Sequence, residues 1–228
     1  MPPGRIWPSK FGAFRLRSGH GETLRQPRVA PVTAPTGRLD RSAVDMWLRK
    51  WWFYQPYRLP WRRAALHAEL AKRHCFARGP MNGDVLGMLR EGRLTLGPHC
   101  YFEPGVWLTG IGRISLGEGV FLNLNVMVAA KESVEIGDHC MIANGCLITD
   151  ANHRFGNLDI PIAWQGYESK GPTRLGDNVW MGVNSAVMSG VTIGRHCVIG
   201  ANSVVTRDVP DYSIAVGAPA RVIGSVTG

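Results

Sequence analysis

Residues 175–205, cut into sixes, read LGDNVW, MGVNSA, VMSGVT, IGRHCV, IGANSV and V. An apolar residue opens every unit: Leu175, Met181, Val187, Ile193, Ile199 and Val205. The same phase runs upstream through Leu96, Phe102 and Leu108, then Leu116, Leu122 and Val128, then Ile136, Ile142 and Ile148. Six is too long for the stripe of one helix, which repeats every 3.6 residues, or of one strand, which repeats every two. It fits units that each form one flat side of a coil. Three units close a triangle with the apolar residues inside, and hydrogen bonds run from coil to coil as parallel sheets. The fold class is all-β, a solenoid.

The spacing also locates an interruption. Leu96, Leu116 and Ile136 are 20 residues apart, an 18-residue coil with two extra residues in a turn. From Ile136 to Leu175 the interval is 39, a coil plus 21 residues, whereas Leu175 to Ile193 is a bare 18. One large loop therefore leaves the solenoid at residues 152–174. Loops projecting from a rigid scaffold are where function concentrates. A glycine follows the opening residue at Gly97, Gly117, Gly137, Gly176, Gly194 and Gly200. It suits a corner where a side chain would crowd the turn or where φ must be unusual.

Cysteine and histidine follow the same phase. Cys100, Cys140, Cys146 and Cys197 occupy the fifth place of a unit, where other units hold Val or Ser. They read as packing residues, not metal ligands or a disulfide framework. Free buried thiols fit a reducing compartment and a cytoplasmic protein. His99, His139 and His196 take the fourth place, beside Asn and Gly elsewhere, and read as surface residues. His153 alone stands where the repeat stops and the loop begins.

The chain has 228 residues, 45% hydrophobic and 19% charged, a globular mixture that excludes collagen-like and low-complexity classes. No stretch approaches the roughly 18 apolar residues of a membrane-spanning helix. The N-terminus is positive but lacks the apolar core of a secretory signal. A formal charge of +9 would invite nucleic acid. Its distribution argues otherwise. Residues 1–90 hold 17 Lys and Arg against 5 Asp and Glu, and residues 91–228 hold 9 against 12. The excess is confined to the N-terminal part, and no nucleic-acid partner is expected.

Residues 1–45, rich in Pro, Arg and Gly, read as a basic extension expected to be disordered. Residues 46–93 form a basic, aromatic and helical segment, and residues 94–225 the solenoid domain. Within 46–63, MWLRKWWFYQPYRLPWRR, aromatic residues interleave with basic ones. The stretch fits a peripheral contact with the inner face of a membrane, or a cap on a core or subunit interface. Prolines at 56, 60 and 80 favour the cap, because they break a long amphipathic helix. Residues 61–78 read as a helix stopped by Gly79-Pro80.

The motifs ITDANH (148–153), LGDNVWMG (175–182), GVTIG (190–194), IGANSVVTRDVP (199–210) and VGAPARVI (216–223) succeed one another in the repeat region. In that order and spacing the chain resembles the hexapeptide-repeat acyltransferases over about residues 94–225. It is most similar to the sugar and antibiotic O-acetyltransferase branch with the maltose, galactoside and nodulation-factor enzymes. The resemblance implies a left-handed parallel β-helix assembled as a homotrimer, with active sites between subunits, acetyl-CoA as donor and no required metal. It implies His153 as general base, Asn123 at the acceptor, and Val183, Ala201, Thr206, Arg207 and Arg221 along coenzyme A; Trp164, on the loop, is a candidate for holding the acceptor. Phe155, Pro161 and Tyr167 are further acceptor candidates on the loop.

The chemistry agrees with the histidine. An imidazole of pKa about 6.5 can take a hydroxyl proton as the oxygen attacks a thioester carbonyl. No Ser or Cys stands in a nucleophile motif, so direct transfer in a ternary complex is expected. Two positions depart from the family: Val183 replaces a small or hydroxyl residue, and Lys131 stands where galactoside-type enzymes often carry an acid. The expected activity is acetyl transfer to a hydroxyl of a sugar, polysaccharide precursor or glycolipid. Transfer to an amino group and a non-catalytic trimeric scaffold or membrane adaptor are the alternatives. The γ-carbonic anhydrases share the solenoid, but their three zinc-binding histidines have no counterpart: Leu158 stands five residues after His153.

Overall fold

A computed structural model describes residues 60–227. The basic extension and residues 46–59 of the aromatic stretch lie outside the described residues. Helix α1 (Pro60–Ala71) begins on a proline, whose missing N–H is no loss in a first turn. Leu66 and Leu70, one turn apart, are its buried residues. The helix stops at Ala71, where the sequence pattern carries it to Arg78. The solenoid takes the rest. His74 adopts a left-handed φ of 55°, and Phe76–Ala77 leaves as strand β1, parallel to Tyr101 and Phe102. The N–H groups of Phe76 and Arg78 reach Cys100 O and Phe102 O, both at 2.9 Å. A second helix, α2 (Val85–Arg90), unforeseen from the pattern, is capped by the Asp84 side chain on Gly87 N–H and buries Val85, Leu86, Met88 and Leu89.

Five coils follow. The first is β2 (Leu94–Leu96), β3 (Tyr101–Phe102) and β4 (Trp107–Gly110). The second is β5 (Arg113–Leu116), β6 (Phe121–Leu122) and β7 (Met127–Ala130), and the third β8 (Ser133–Ile136), β9 (Met141–Ile142) and β10 (Leu147–Thr149). An antiparallel pair, β11 (Ala151–His153) and β12 (Tyr167–Ser169), interrupts them. The fourth coil is β13 (Thr173–Leu175), β14 (Trp180–Met181) and β15 (Ala186–Val187), and the fifth β16 (Thr192–Ile193), β17 (Val198–Ile199) and β18 (Val204–Val205). The hairpin β19 (Ser213–Gly217) and β20 (Ala220–Ser225) closes the stack.

The coils build a left-handed parallel β-helix with three faces. The first is β2-β5-β8-β13-β16, the second β1-β3-β6-β9-β14-β17-β19-β20, and the third β4-β7-β10-β15-β18. The unit-opening residues stack in register, for instance Phe102, Leu122, Ile142, Met181 and Ile199, and these are fully buried. Burying each is worth about 1.5–3 kcal/mol. Among the described residues no helix is long and apolar enough to cross a membrane.

The corners explain the polar places of the repeat. The fourth place carries the left-handed turn: His99, His139 and His196 have φ of 63°, 55° and 53°, and Asn178 and Asn202 have 56°. Asn and His tolerate that region better than most residues. The glycine after the opening residue serves close approach: a Cβ at Gly137 would stand 2.7 Å from the Gly176 carbonyl carbon. The five cysteines are free and buried. Thiols in the fifth place donate to carbonyls of the adjoining coil, Cys140 to Gly176 O and Cys146 to Gly182 O, both at 3.1 Å. Ser185 in that slot donates to Gly182 O at 2.8 Å.

Candidate active site

The third coil leaves the third face after Thr149. Asp150 is fully buried, and its carboxylate accepts the N–H groups of Lys131, Glu132 and Ser133 at 2.5, 2.7 and 2.7 Å. β11 and β12 then pair with His153 opposite Tyr167. The two rings lie 4.3 Å apart between centroids, tilted by 42°. His153 is exposed at the outer end of the paired segment. The insertion therefore has a structured base. Its tip is held by Gln165, whose amide donates to Asn157 O (2.6 Å) and Ile160 O (2.7 Å) and accepts Asn157 N–H (3.0 Å). A 3-10 turn, Ile162–Trp164, follows Pro161.

The insertion forms an open pocket of about 610 Å³ lined by Arg154, Phe155, Ile160, Trp164, Gln165 and Glu168, among others. Phe155 and Trp164 are thus acceptor candidates that share a cavity, and Tyr167 packs on the histidine. Trp164 is 79% exposed, so its indole face is open to a ligand. Arg154, Gln165 and Glu168 escape sequence reasoning because they fall in the segment without a repeat.

Of the remaining candidates, all but Arg221 lie on two edges of the third face. Val183 is in register with Ala201 on the edge between the second and third faces, their turns joined by Asn202 N–H to Val183 O at 2.9 Å. Asn123 opens the same turn in the second coil. Its side chain accepts Leu124 N–H at 2.8 Å, and its neighbours in the stack are Glu103 and Ala143. Thr206 and Arg207 lie across the third face, on the edge from which the hairpin departs. Met188 N–H bonds Val205 O at 3.0 Å there, which sets Thr206 and Arg207 in line with Met188 and Ser189. Arg221 is on β20, exposed, with Nη1 on Ala220 O at 2.8 Å. One chain therefore carries His153 on one edge and Asn123, Val183 and Ala201 on another.

A further feature escaped the sequence reading. Phe76, Tyr101, Phe121, Met141, Trp180, Val198 and Ile214 stand in register on the outer side of the second face. Phe76, Met141 and Trp180 are 55%, 46% and 48% exposed. The Phe76, Tyr101 and Phe121 rings form a ladder with centroid spacings of 5.5 and 5.3 Å. The signal was legible in the sixth place of the first unit of each coil, which is apolar throughout. Electrostatically, burial pushes the Cys100 thiol up to about 12 and Cys140 to about 11. Among the described residues no three His, Cys, Asp or Glu side chains converge as a metal site.

Two family models match: Bacterial transferase hexapeptide (six repeats) at residues 172–207, and Hexapeptide repeat of succinyl-transferase at residues 113–150. The probable acetyltransferase Rv3034c of Mycobacterium tuberculosis is 34% identical over 93% of this chain and 70% of its own length. This chain belongs to the hexapeptide-repeat acyltransferase family. Another relative in this family is the galactoside O-acetyltransferase of Escherichia coli, 32% identical over 61% of this chain and 67% of that protein. A solved galactoside acetyltransferase in complex with coenzyme A superposes with a TM-score of 0.54 at 30% identity, covering 61% of this chain and 69% of that one. The N-acyltransferase AntD from Bacillus cereus, in complex with dTDP and 3-hydroxybutyryl-CoA, reaches 0.54 at 21% identity, covering 69% and 87%. At that identity the hexapeptide-repeat likeness is one of fold.

Proposed function

We propose that this chain transfers an acetyl group from acetyl-CoA to a hydroxyl of a sugar, polysaccharide precursor or glycolipid, with His153 as general base. The observation that carries the reading is the exposed imidazole of His153, packed on Tyr167 in the same insertion that forms a pocket lined by Phe155 and Trp164. Aromatic faces suit the apolar faces of a sugar ring. The imidazole takes the hydroxyl proton as that oxygen forms the new bond to the thioester carbonyl. The C–S bond then breaks, and the proton passes to the departing thiolate of coenzyme A. Asn123 and Trp164 hold the acceptor. Val183 and Ala201 flank the pantetheine arm, and Thr206, Arg207 and Arg221 meet its phosphates, the arginines as charge-assisted donors.

Because His153 and Asn123 sit on different edges of one chain, the working site needs two copies. The apolar column from Phe76 to Ile214 supports a homotrimer, since a stripe of that length on a solvated face marks a surface that another chain covers. The five free, buried thiols support a cytoplasmic location.

The test is acetyl-CoA consumption, followed as free thiol, across a panel of simple methyl glycosides and glycolipids. His153→Ala should lower turnover by about 10²- to 10⁴-fold with the assembly intact. Turnover near that of the parent protein would sink the assignment.

A further inference from the structure

We infer that Asp150 and Ser189 are positioning residues for His153: together they moor the hairpin that carries it between the coils below and above. The inference rests on His153 being the base.

The mooring begins with a residue that breaks the local pattern. In the first and second coils the edge between the third and first faces is turned by Gly110 and Ala130, which pair in register. Thr149 pairs with Ala129, so one residue further on, the third coil puts Asp150 where the others have Gly and Ala. Among the described residues Asp150 is the one fully buried acid. Burying a carboxylate costs several kcal/mol unless hydrogen bonds replace its water. Here three consecutive backbone N–H groups, from residues 131–133 in the coil below, replace it. The fifth coil also has an aspartate at this edge, Asp208, but it is exposed and accepts a single N–H, from Thr192 at 2.8 Å; the buried one belongs to the coil that gives rise to the insertion.

The coil above completes the clamp. Ser189 Oγ donates to Asp150 O and accepts Lys170 N–H at 2.9 Å. One hydroxyl thus ties the outgoing and returning legs together. Thr173 Oγ1 donates to Thr149 O at 3.0 Å and accepts Gly190 N–H at 3.1 Å. Thr149 Oγ1 in turn donates to Ala129 O at 2.9 Å and accepts Ala151 N–H at 3.0 Å. An isolated two-stranded hairpin is marginal in water, and β11 and β12 have three residues each. Their direction therefore comes from this anchorage. The chain bends at Asp150 and runs as a strand from Ala151 to His153, so the imidazole stands three residues from the anchor.

The test compares Asp150→Asn, Ser189→Ala, His153→Ala and a control, Asp138→Asn. Asp138 also accepts a backbone N–H, from Glu118 at 2.7 Å, but at an edge away from the hairpin. The readout is the imidazole C–H resonance of His153, assigned by its loss in His153→Ala. In the parent protein it should be displaced by the Tyr167 ring. In Asp150→Asn and Ser189→Ala the displacement should collapse, while core methyl resonances and the thermal shift given by coenzyme A stay as in the parent. On any glycoside of the panel that is turned over, kcat should fall by about a hundred-fold, the scale of a misplaced catalytic group, with KM for acetyl-CoA unchanged. Asp138→Asn should alter none of these.

A displaced His153 signal that persists in both variants overturns the positioning role, as does its absence from the parent. If Asp150→Asn does not fold, Ser189→Ala decides. Full activity in His153→Ala would sink the general-base reading instead, and the resonance would still report whether the hairpin is moored.

Discussion

The imidazole of His153 lies against the phenol ring of Tyr167, 4.3 Å between centroids, on the facing strands of the inserted hairpin. A tilted ring pair of this kind contributes about 0.5–1.5 kcal/mol, and here it restrains the rotation of a side chain otherwise open to water. Tyr167→Phe should retain the contact and nearly all of the turnover. Tyr167→Ala should lose about ten-fold in kcat, or about 1.4 kcal/mol, with KM for acetyl-CoA unchanged. Equal kinetics for the two variants would show that the ring pair does not orient the histidine.

The proposed donor groove makes a second prediction. Arg207 and Arg221 are exposed, and neither reaches a carboxylate that would compete for it in the salt bridges of the described residues. Replacing either by Ala should weaken coenzyme A binding by about ten-fold, because a hydrogen bond to a charged group is worth about 1.5–3 kcal/mol. Titration calorimetry with coenzyme A reads this directly, and dephospho-coenzyme A would reveal which arginine meets the 3′-phosphate. Unchanged affinity in both variants would move the phosphates elsewhere.

Coil stacking sets a third. At Gly137 a Cβ would stand 2.7 Å from the Gly176 carbonyl carbon and 2.8 Å from Asp177 N, and backbone cannot step aside as a side chain can. Gly137→Ala should cost about 1–3 kcal/mol, the range for overpacking, seen as a lower urea midpoint. Gly92, with nothing within 4 Å of its virtual Cβ but a φ of 70°, separates the two causes. Gly92→Asn should be tolerated where Gly137→Asn is not.

The buried thiols predict alkaline sensitivity. Desolvation raises Cys100 to about 12 and Cys140 to about 11 from an ordinary 9.0. The folded state keeps these protons while the unfolded chain releases them from about pH 9 upward. The stabilisation is therefore complete below about pH 9 and is lost progressively as the pH climbs toward 11 and 12. Thermal midpoints should decline above about pH 9, and the double variant Cys100→Val, Cys140→Val should decline less steeply. Valine suits the slot, since Val120 and Val179 occupy it in intervening coils and are buried. Parallel curves would assign the alkaline loss to other groups.

Much of the fold was legible because each six-residue unit meets nearly the same surroundings. The apolar opening residue, the glycine after it and the small fifth residue are set by coil geometry, so period alone reveals them. Other features needed the coordinates. Helix α1 looked as if it ran to Arg78, since nothing local marks the ladder hydrogen bonds that draw Phe76 into the second face. The histidines of the fourth place looked like surface residues, and their left-handed φ became apparent only from the backbone. The inserted segment has no period, so its pocket and the hold of Gln165 on its tip left no mark in the pattern, and the partners of Asp150 lie too far off in sequence for the pattern to reveal them.

The sequence by itself determined the coil, its three faces, the site of the insertion and His153 at its threshold, because each follows from spacing along the chain. The tertiary structure decided how that histidine is held and which candidates share an edge. Those depend on residues far apart in sequence: Asp150 with the turn at residues 131–133, Ser189 with both Asp150 and Lys170, and Val183 with Ala201. A repeat records what every coil has in common. The site is built where one coil differs, and the partners of that difference are found only once the coils are stacked.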